Sequence, residues 1–346
     1  MKTMKAVGYT EYGLPDVLEM KEIEKPDPKD NEILIRVHAV SVNYGDLVAR
    51  NFKNITPSEF HMPFLFWLLA RFGFGFNKPK KEILGNSFSG EIESIGDAVK
   101  QFKKGEQIFG YVREEMGAYA EYLCMPENGI LAEKPTNMEF EEAAVVPYGT
   151  LMALNLMKKV DIHKGQKILI NGAAGGIGSA AVQLAKHLFG AEVTGVCATP
   201  EIEFVKNLGA SKVIDYRNED FTKNGEQYDL IFDILGKGSF SSYKTSLQQN
   251  GIYFSVSFKT KKLFQMLWTS IIGKKKVVCA LATPNQEDLE FIKTLVENGK
   301  IKSIIDKCFQ LKQTAEAHRY VEAGMKKGSV VITVSKERKT SAQQDI

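Results

Sequence analysis

The chain of 346 residues is poor in the residues that build metal and disulfide sites. It has only four cysteines, Cys124, Cys197, Cys279 and Cys308, and five histidines. The cysteines are far apart, and no CxxC or Cys/His spacing marks a zinc site or a disulfide framework. Charge of one sign is also lacking. The net charge is +3, without the basic footprint of a nucleic-acid binder. The opening MKTMKAVGYTEYG lacks an apolar signal core, so a cytoplasmic protein is expected. The densest apolar run, MPFLFWLLARFGFGF (62–76), contains Arg71 and is too short to span a bilayer. A second run, KKLFQMLWTSIIGKKK (261–276), lies between lysine clusters. Both are expected to form pocket walls or subunit contacts. Contact with a membrane surface is the alternative for such a basic amphipathic stretch.

What is present falls into two grammars. The first 130 residues read as β-rich: EILIRVHAVSVN (32–43), SGEIESIG (89–96) and AYAEYLCM (118–125) are strand candidates, punctuated by glycines and KKGEQ. After KPTNMEFEEAAVVP, short apolar strands alternate with helices. Six strands are expected at KILING, EVTGVC, KVIDY, YDLIFDIL, GIYFSVSF and KVVCALA. The helix after KILING shows its apolar face as Ile177, Ala181, Leu184, Ala185 and Leu188. Buried strands alternating with helices mean an α/β fold with a doubly wound parallel sheet. The tail adds a helix at 286–298, then IIDKCF, a further helix and a strand at 329–334. The closing SKERKTSAQQDI is polar and expected to be disordered.

The stretch INGAAGGIGSAAVQLAK (170–186) joins the first of those strands to its helix. It fits the dinucleotide fingerprint as Ala173-x-Gly175-x-x-Gly178, with Ala174, Gly176 and Ile177 completing the loop. Gly175 allows backbone to approach a pyrophosphate, and Gly178 allows close helix–strand packing. Amides at the helix start favour the anion. An acidic residue about 20 positions on would hold the ribose of NAD. The residue nineteen past Gly178 is Cys197. A carboxylate there would repel a 2′-phosphate by about 3 kcal/mol at 5 Å and an effective dielectric near 20. Its absence favours NADPH over NADH, with Tyr216 and Arg217 as candidate phosphate contacts.

The order of parts resembles the medium-chain dehydrogenase/reductase superfamily, and within it the zinc-free quinone oxidoreductase (zeta-crystallin-like) branch. HAVSVNYGD, SGEIESIGDAVKQFKKGEQIFG, EEAAVVPYG, GQKILINGAAGGIGSAAVQLAK, LGASKVIDY and AHRYVEAGMKKGSVVITV carry the resemblance, which covers residues 4–334. It implies a GroES-like substrate domain from 1–135 and 301–346, a Rossmann domain at 136–300, catalysis in the cleft, and a homodimer. The family's catalytic zinc ligands would fall at Asn43 and near Asn86, where amides replace thiolate and imidazole, so no zinc is expected. It implies Asn43 as a polar contact to nicotinamide or substrate, with Tyr44 and Tyr148 as candidate hydrogen-bond or proton donors. Asp46 is expected to cap a helix. The resemblance also implies Thr199 by the adenosine phosphate, Leu235 and Gly236 by the nicotinamide ribose, and Ser257 and Phe258 facing the nicotinamide.

Without a Lewis acid nothing stabilises an alkoxide, so reduction of a quinone or an α,β-unsaturated carbonyl is expected. The apolar insertion predicts a bulky, apolar pocket for a small electrophilic substrate. An NAD(P)-dependent alcohol dehydrogenase and a non-catalytic NADPH-binding protein stand as the alternatives.

Overall fold

The computed structural model describes residues 2–57, 59, 60, 62–324 and 326–334; the polar closing stretch at 335–346 lies outside them. Six parallel strands form one sheet in the spatial order Lys212–Asp215, Glu192–Cys197, Lys167–Asn171, Tyr228–Asp233, Leu247–Ser255, Lys276–Cys279. Their interior residues, such as Ile168, Leu169 and Ile170, are fully buried, as a sheet covered on both faces requires. The strand order reverses between Lys167–Asn171 and Tyr228–Asp233. That reversal opens a crevice at the carboxyl ends of the strands. The fifth strand starts at Leu247, four residues before the expected GIYFSVSF, because Gln248, Gln249 and Asn250 mask it as a turn.

A seven-stranded sheet is built on Glu32–Val42. Ser87–Ile95, Tyr122–Pro126 and Ser329–Thr333 all pair with it antiparallel. The last of these carries the end of the described chain back to its beginning, with Val330 opposite Val42. Ile305–Gln310 lies parallel at the edge beyond it. Arg36 is the exposed position of Glu32–Val42 and pairs with Glu91 at 3.1 Å.

Helix Phe140–Met157 packs against strands of this sheet and against helix Gly176–His187 of the other layer. It contains Pro147, which supplies no amide. Next to it the Ser87 hydroxyl accepts the Tyr148 amide at 3.2 Å and donates to the Ala144 carbonyl at 2.7 Å. A side chain inserted into the ladder in this way fixes the helix locally and sets Tyr148 in place.

The two apolar runs are both helical, over Phe64–Phe74 and Thr260–Ile271. Phe64, Leu65, Leu69 and Phe72 stand exposed, as do Phe264, Leu267, Trp268 and Ile271. Among the described residues no helix is long and apolar enough to cross a membrane.

Candidate active site

The glycine loop shows which of its glycines the protein itself needs. A Cβ on Gly178 would lie 2.0 Å from the Gly172 carbonyl oxygen and 2.9 Å from Ala173, so close packing demands glycine there. A Cβ on Gly175 would meet nothing nearer than the Gly172 oxygen at 3.7 Å. Gly175 is the N-cap of Gly176–His187, with an ordinary φ of −74°. The space above Gly175 at the start of a helix fits a pyrophosphate held by free amides. A Cβ on Gly176 would instead approach Ser329 Oγ at 3.8 Å, while Ala174 is buried and Ile177 packs on the core. The Ala174 carbonyl accepts the Gly328 amide at 3.3 Å, which ties the returning tail to the loop.

At the end of the crevice beside the second and third strands, the Thr199 hydroxyl donates to Asp215 at 2.6 Å. Asp215 also accepts the Arg217 amide and the Asn218 side chain, and these donors, Thr199 foremost, hold its carboxyl below the usual range. Glu201 accepts the Ala198 amide at 2.9 Å, closing the turn that follows the second strand. Both carboxylates are therefore committed to local bonds. Tyr216 remains exposed beside them, its amide bonded to the Cys197 carbonyl. Sequence reasoning missed Lys326. It is half-buried and bonds to the Gly328 carbonyl, and burial pulls its pKa down against the charges of Asp306 and, less strongly, Glu201.

At the opposite end, buried Asp233 organises the loop after the fourth strand. It accepts Asn171, Tyr253 and the amides of Gly236 and Gly238, all at 3.0–3.1 Å. Leu235 leans over Gly172, and Gly236, with φ +63°, rests on Ser257. Leu235, 45% exposed, thus borders the crevice, whereas Ser257, expected to face the nicotinamide, is fully buried beneath Gly236. Phe258 packs with the cluster beneath Thr260–Ile271. Lys262, which the sequence places in an amphipathic stretch, is buried and bridges the Gly236 carbonyl to the Ser255 hydroxyl.

The polar residues of the other sheet meet this crevice through one helix. Gly149 abuts Gly176, since a Cβ there would lie 2.7 Å from its carbonyl oxygen. The adjacent Tyr148 sets its hydroxyl against the Gly45 amide and its ring 6.2 Å from Tyr111. Burial, with Asp46 nearby, pushes the Tyr148 pKa up, so the hydroxyl stays protonated and able to donate. Asn43 stands at the start of helix Tyr44–Arg50, and its amide nitrogen donates to Asn86 Oδ1 at 2.8 Å and to Ser41 Oγ at 2.9 Å. Tyr44 follows, largely exposed. Asn43, Tyr44 and Tyr148 are thus brought to one place. Tyr148→Phe removes one hydroxyl at that place, and kcat should fall about fivefold, the weight of one hydrogen bond. Steady-state rates on a quinone would show it, and unchanged kcat would leave Tyr148 as packing.

Asp46 caps differently from the expectation. Asn43 is the N-cap, and Asp46, at the third helical position, returns its Oδ2 to the Asn43 amide at 2.8 Å. Its Oδ1 accepts the Gly85 amide at 3.1 Å. Behind it runs a buried polar chain. Arg50 can only donate, so His318 Nδ1, 2.9 Å away, accepts. His318 Nε2 then donates to Tyr119, 3.1 Å away, whose hydroxyl is left to donate to Asp46. Arg50 also pairs with Glu322 on helix Thr314–Glu322. The returning tail thereby braces the Asn43 turn.

Asn43 and Asn86, at and near the two zinc-ligand positions of the resemblance, hold each other by an amide–amide bond. No thiolate or imidazole stands at either, so the donor set does not fit a catalytic zinc.

A Rossmann crevice facing a polar cluster on a β-rich domain defines a dinucleotide-dependent oxidoreductase. The alcohol dehydrogenase GroES-like domain family matches residues 29–136, and the zinc-binding dehydrogenase family matches residues 208–332. The chain is 30% identical to 2-methylene-furan-3-one reductase of Solanum lycopersicum, over 95% of this chain and 79% of that protein. It is 29% identical to the chloroplastic NADPH-dependent alkenal/one oxidoreductase of Arabidopsis thaliana, over 96% and 80%. The solved quinone oxidoreductase of Coxiella burnetii superposes with a TM-score of 0.81 at 28% identity, covering 96% of this chain and all of that one. This chain belongs to the medium-chain dehydrogenase/reductase superfamily, in its quinone oxidoreductase branch.

Proposed function

We propose that this protein reduces quinones or α,β-unsaturated carbonyl compounds with NADPH and without a catalytic zinc. The observation that carries the reading is the Asn43–Asn86 amide pair, set across from a glycine loop that has room for a pyrophosphate. Relatives named for NADPH-dependent alkenal/one and quinone reduction support the same chemistry. NADPH, when bound, supplies the hydride.

The residues of the chain do the rest. Gly175, Gly176 and the amides at the helix start receive the pyrophosphate. Thr199 and Tyr216 flank the adenosine end. Tyr216, Arg217 and Lys326 are the groups there able to meet a 2′-phosphate, and together they must offset the charge of Asp215, which its hydrogen bonds to Thr199 and the Arg217 amide do not remove. Leu235 borders the nicotinamide end, with Gly236 and Ser257 packed beneath it. The Asn43 side chain orients the nicotinamide or the substrate carbonyl. Tyr148 keeps a proton on its hydroxyl and donates a hydrogen bond to developing oxyanion charge. Catalysis of this kind rests on placement against an already electrophilic substrate. We divide the chain as a substrate domain at 1–135 and 301–346 and a cofactor domain at 136–300, and we read the active unit as a cytoplasmic homodimer.

Chelator-treated protein offered NADPH and NADH in parallel, with a quinone and an enone as acceptors, tests the reading. NADPH-selective consumption is expected. Activity that is lost on chelation and restored by zinc would overturn the metal-free mechanism. Binding of NADPH without turnover on either acceptor would make the chain a binding module. Preference for NADH would remove the 2′-phosphate contacts from Tyr216, Arg217 and Lys326.

A further inference from the structure

Helix Thr260–Ile271 has two unlike faces. Inward, Lys262 and Thr269 are buried, Leu263 and Met266 pack on the cluster around Tyr253 and Val277, and the Thr269 hydroxyl accepts the Val277 amide at 3.0 Å. Outward stand Phe264, Leu267, Trp268 and Ile271, at i, i+3, i+4 and i+7, followed by Ile272. Their exposure runs from 53% to 84%. An unbroken stripe of this kind on a helix otherwise well anchored needs a partner.

The charge around the stripe selects that partner. From Ile234 through Gln286 the sequence has no aspartate or glutamate and eight lysines, in a chain whose net charge is only +3. Lys259 and Lys261 precede the stripe, and Lys274 and Lys276 follow it, all four exposed. A second copy of the chain meeting this face by two-fold symmetry would set lysine against lysine. An anionic bilayer surface accepts both halves of the pattern: acyl boundary for the aromatic and aliphatic stripe, headgroups for the lysines. Twelve residues of helix are about 18 Å long, so the helix lies in the surface rather than crossing it.

We propose that the face of Thr260–Ile271, framed by Lys259, Lys261, Lys274 and Lys276, docks the protein on membranes rich in anionic lipid. The proposal is independent of the reductase reading, because it concerns binding alone.

The full chain would be sedimented with vesicles of phosphatidylcholine and phosphatidylglycerol in equal parts, and with phosphatidylcholine alone. Binding to the mixed vesicles is expected, at least about tenfold tighter than to the neutral ones and weakened by salt. The chain has two tryptophans, so Trp67→Phe leaves Trp268 as the reporter. Its emission should shift to the blue on the mixed vesicles. Ile271→Gln and Trp268→Gln change exposed side chains, and together they should lower vesicle affinity about tenfold or more. Failure to sediment with the mixed vesicles would overturn the proposal. So would binding that ignores both substitutions, or concentration-dependent dimers that the two substitutions abolish without lipid.

Discussion

Gly175→Ala is expected to fold like the wild type and to bind NADPH at least about tenfold more weakly, whereas Gly178→Ala is expected to lose stability itself. The two positions are three residues apart in one loop, yet different neighbours constrain them. At Gly178 an added methyl would sit 2.0 Å from a backbone oxygen, and a backbone atom cannot step aside as a flexible side chain can. Overpacking of this kind costs about 1–3 kcal/mol, and more where the obstacle is main chain. At Gly175 the methyl has 3.7 Å to its nearest neighbour, and φ −74° suits alanine. Its only obstacle is whatever approaches from outside. A tenfold loss of affinity corresponds to about 1.4 kcal/mol, a modest demand for a methyl placed against a pyrophosphate. Thermal unfolding without cofactor, and titration of NADPH fluorescence, separate the two effects. A Gly175→Ala protein that binds NADPH as tightly as the wild type would move the pyrophosphate off this loop.

That contrast also marks how far the sequence could be read. The fingerprint is local, so strand, loop and helix were all legible within seventeen residues. The six strands and their parallel arrangement followed from short apolar runs between helices, because burial on both faces leaves no polar alternation to misread. Tyr122–Pro126 begins four residues later than AYAEYLCM implied, since Ala120 joins only by a single bridge to Ala6. The polar site was less legible, because its partners lie far apart in the chain. Asn43 meets Asn86, and Asp46 reaches Gly85 and Tyr119. His318 arrives from the tail 268 positions after Arg50. Nothing local in NYGD says that its aspartate turns inward. Lys262 shows the same limit. It sits among exposed neighbours at helical spacing, yet it reaches inward to two oxygens at the crevice. Lys326 could have been found earlier, as a basic residue two positions before the glycine that joins the tail to the cofactor loop.

The buried chain from Asp46 to His318 predicts a pH dependence that only substitution will uncover. Burial raises the Asp46 carboxyl to about 7, although three donors face it. The unfolded value is about 4. Between these two pH values the folded protein holds a proton that the unfolded chain gives up. Asp46 therefore makes stability fall as pH rises through that window, by up to about 1.4 kcal/mol per unit, and adds no further slope above it. His318 does the reverse. Burial, with Arg50 beside it, lowers its pKa to about 3, against about 6.5 unfolded. Below pH 6.5 the unfolded chain binds a proton that the folded one refuses, so His318 makes stability rise with pH from about 3 to 6.5. Between about pH 4 and 6.5 the two slopes oppose each other and cancel in the wild type. Asp46→Asn should expose the His318 slope, so that its stability relative to the wild type improves steadily as pH rises through the window. His318→Gln should expose the Asp46 slope with the opposite sign. Urea unfolding of the three proteins at a series of pH values measures the differences directly. Two variants whose difference curves are flat would mean that neither group changes protonation on folding. Asp46→Asn carries a second consequence, because an amide cannot accept from both the Asn43 and Gly85 backbones. One end of the turn is released, Asn43 loses its fixed orientation, and kcat should fall about tenfold at every pH while KM for NADPH stays near the wild-type value.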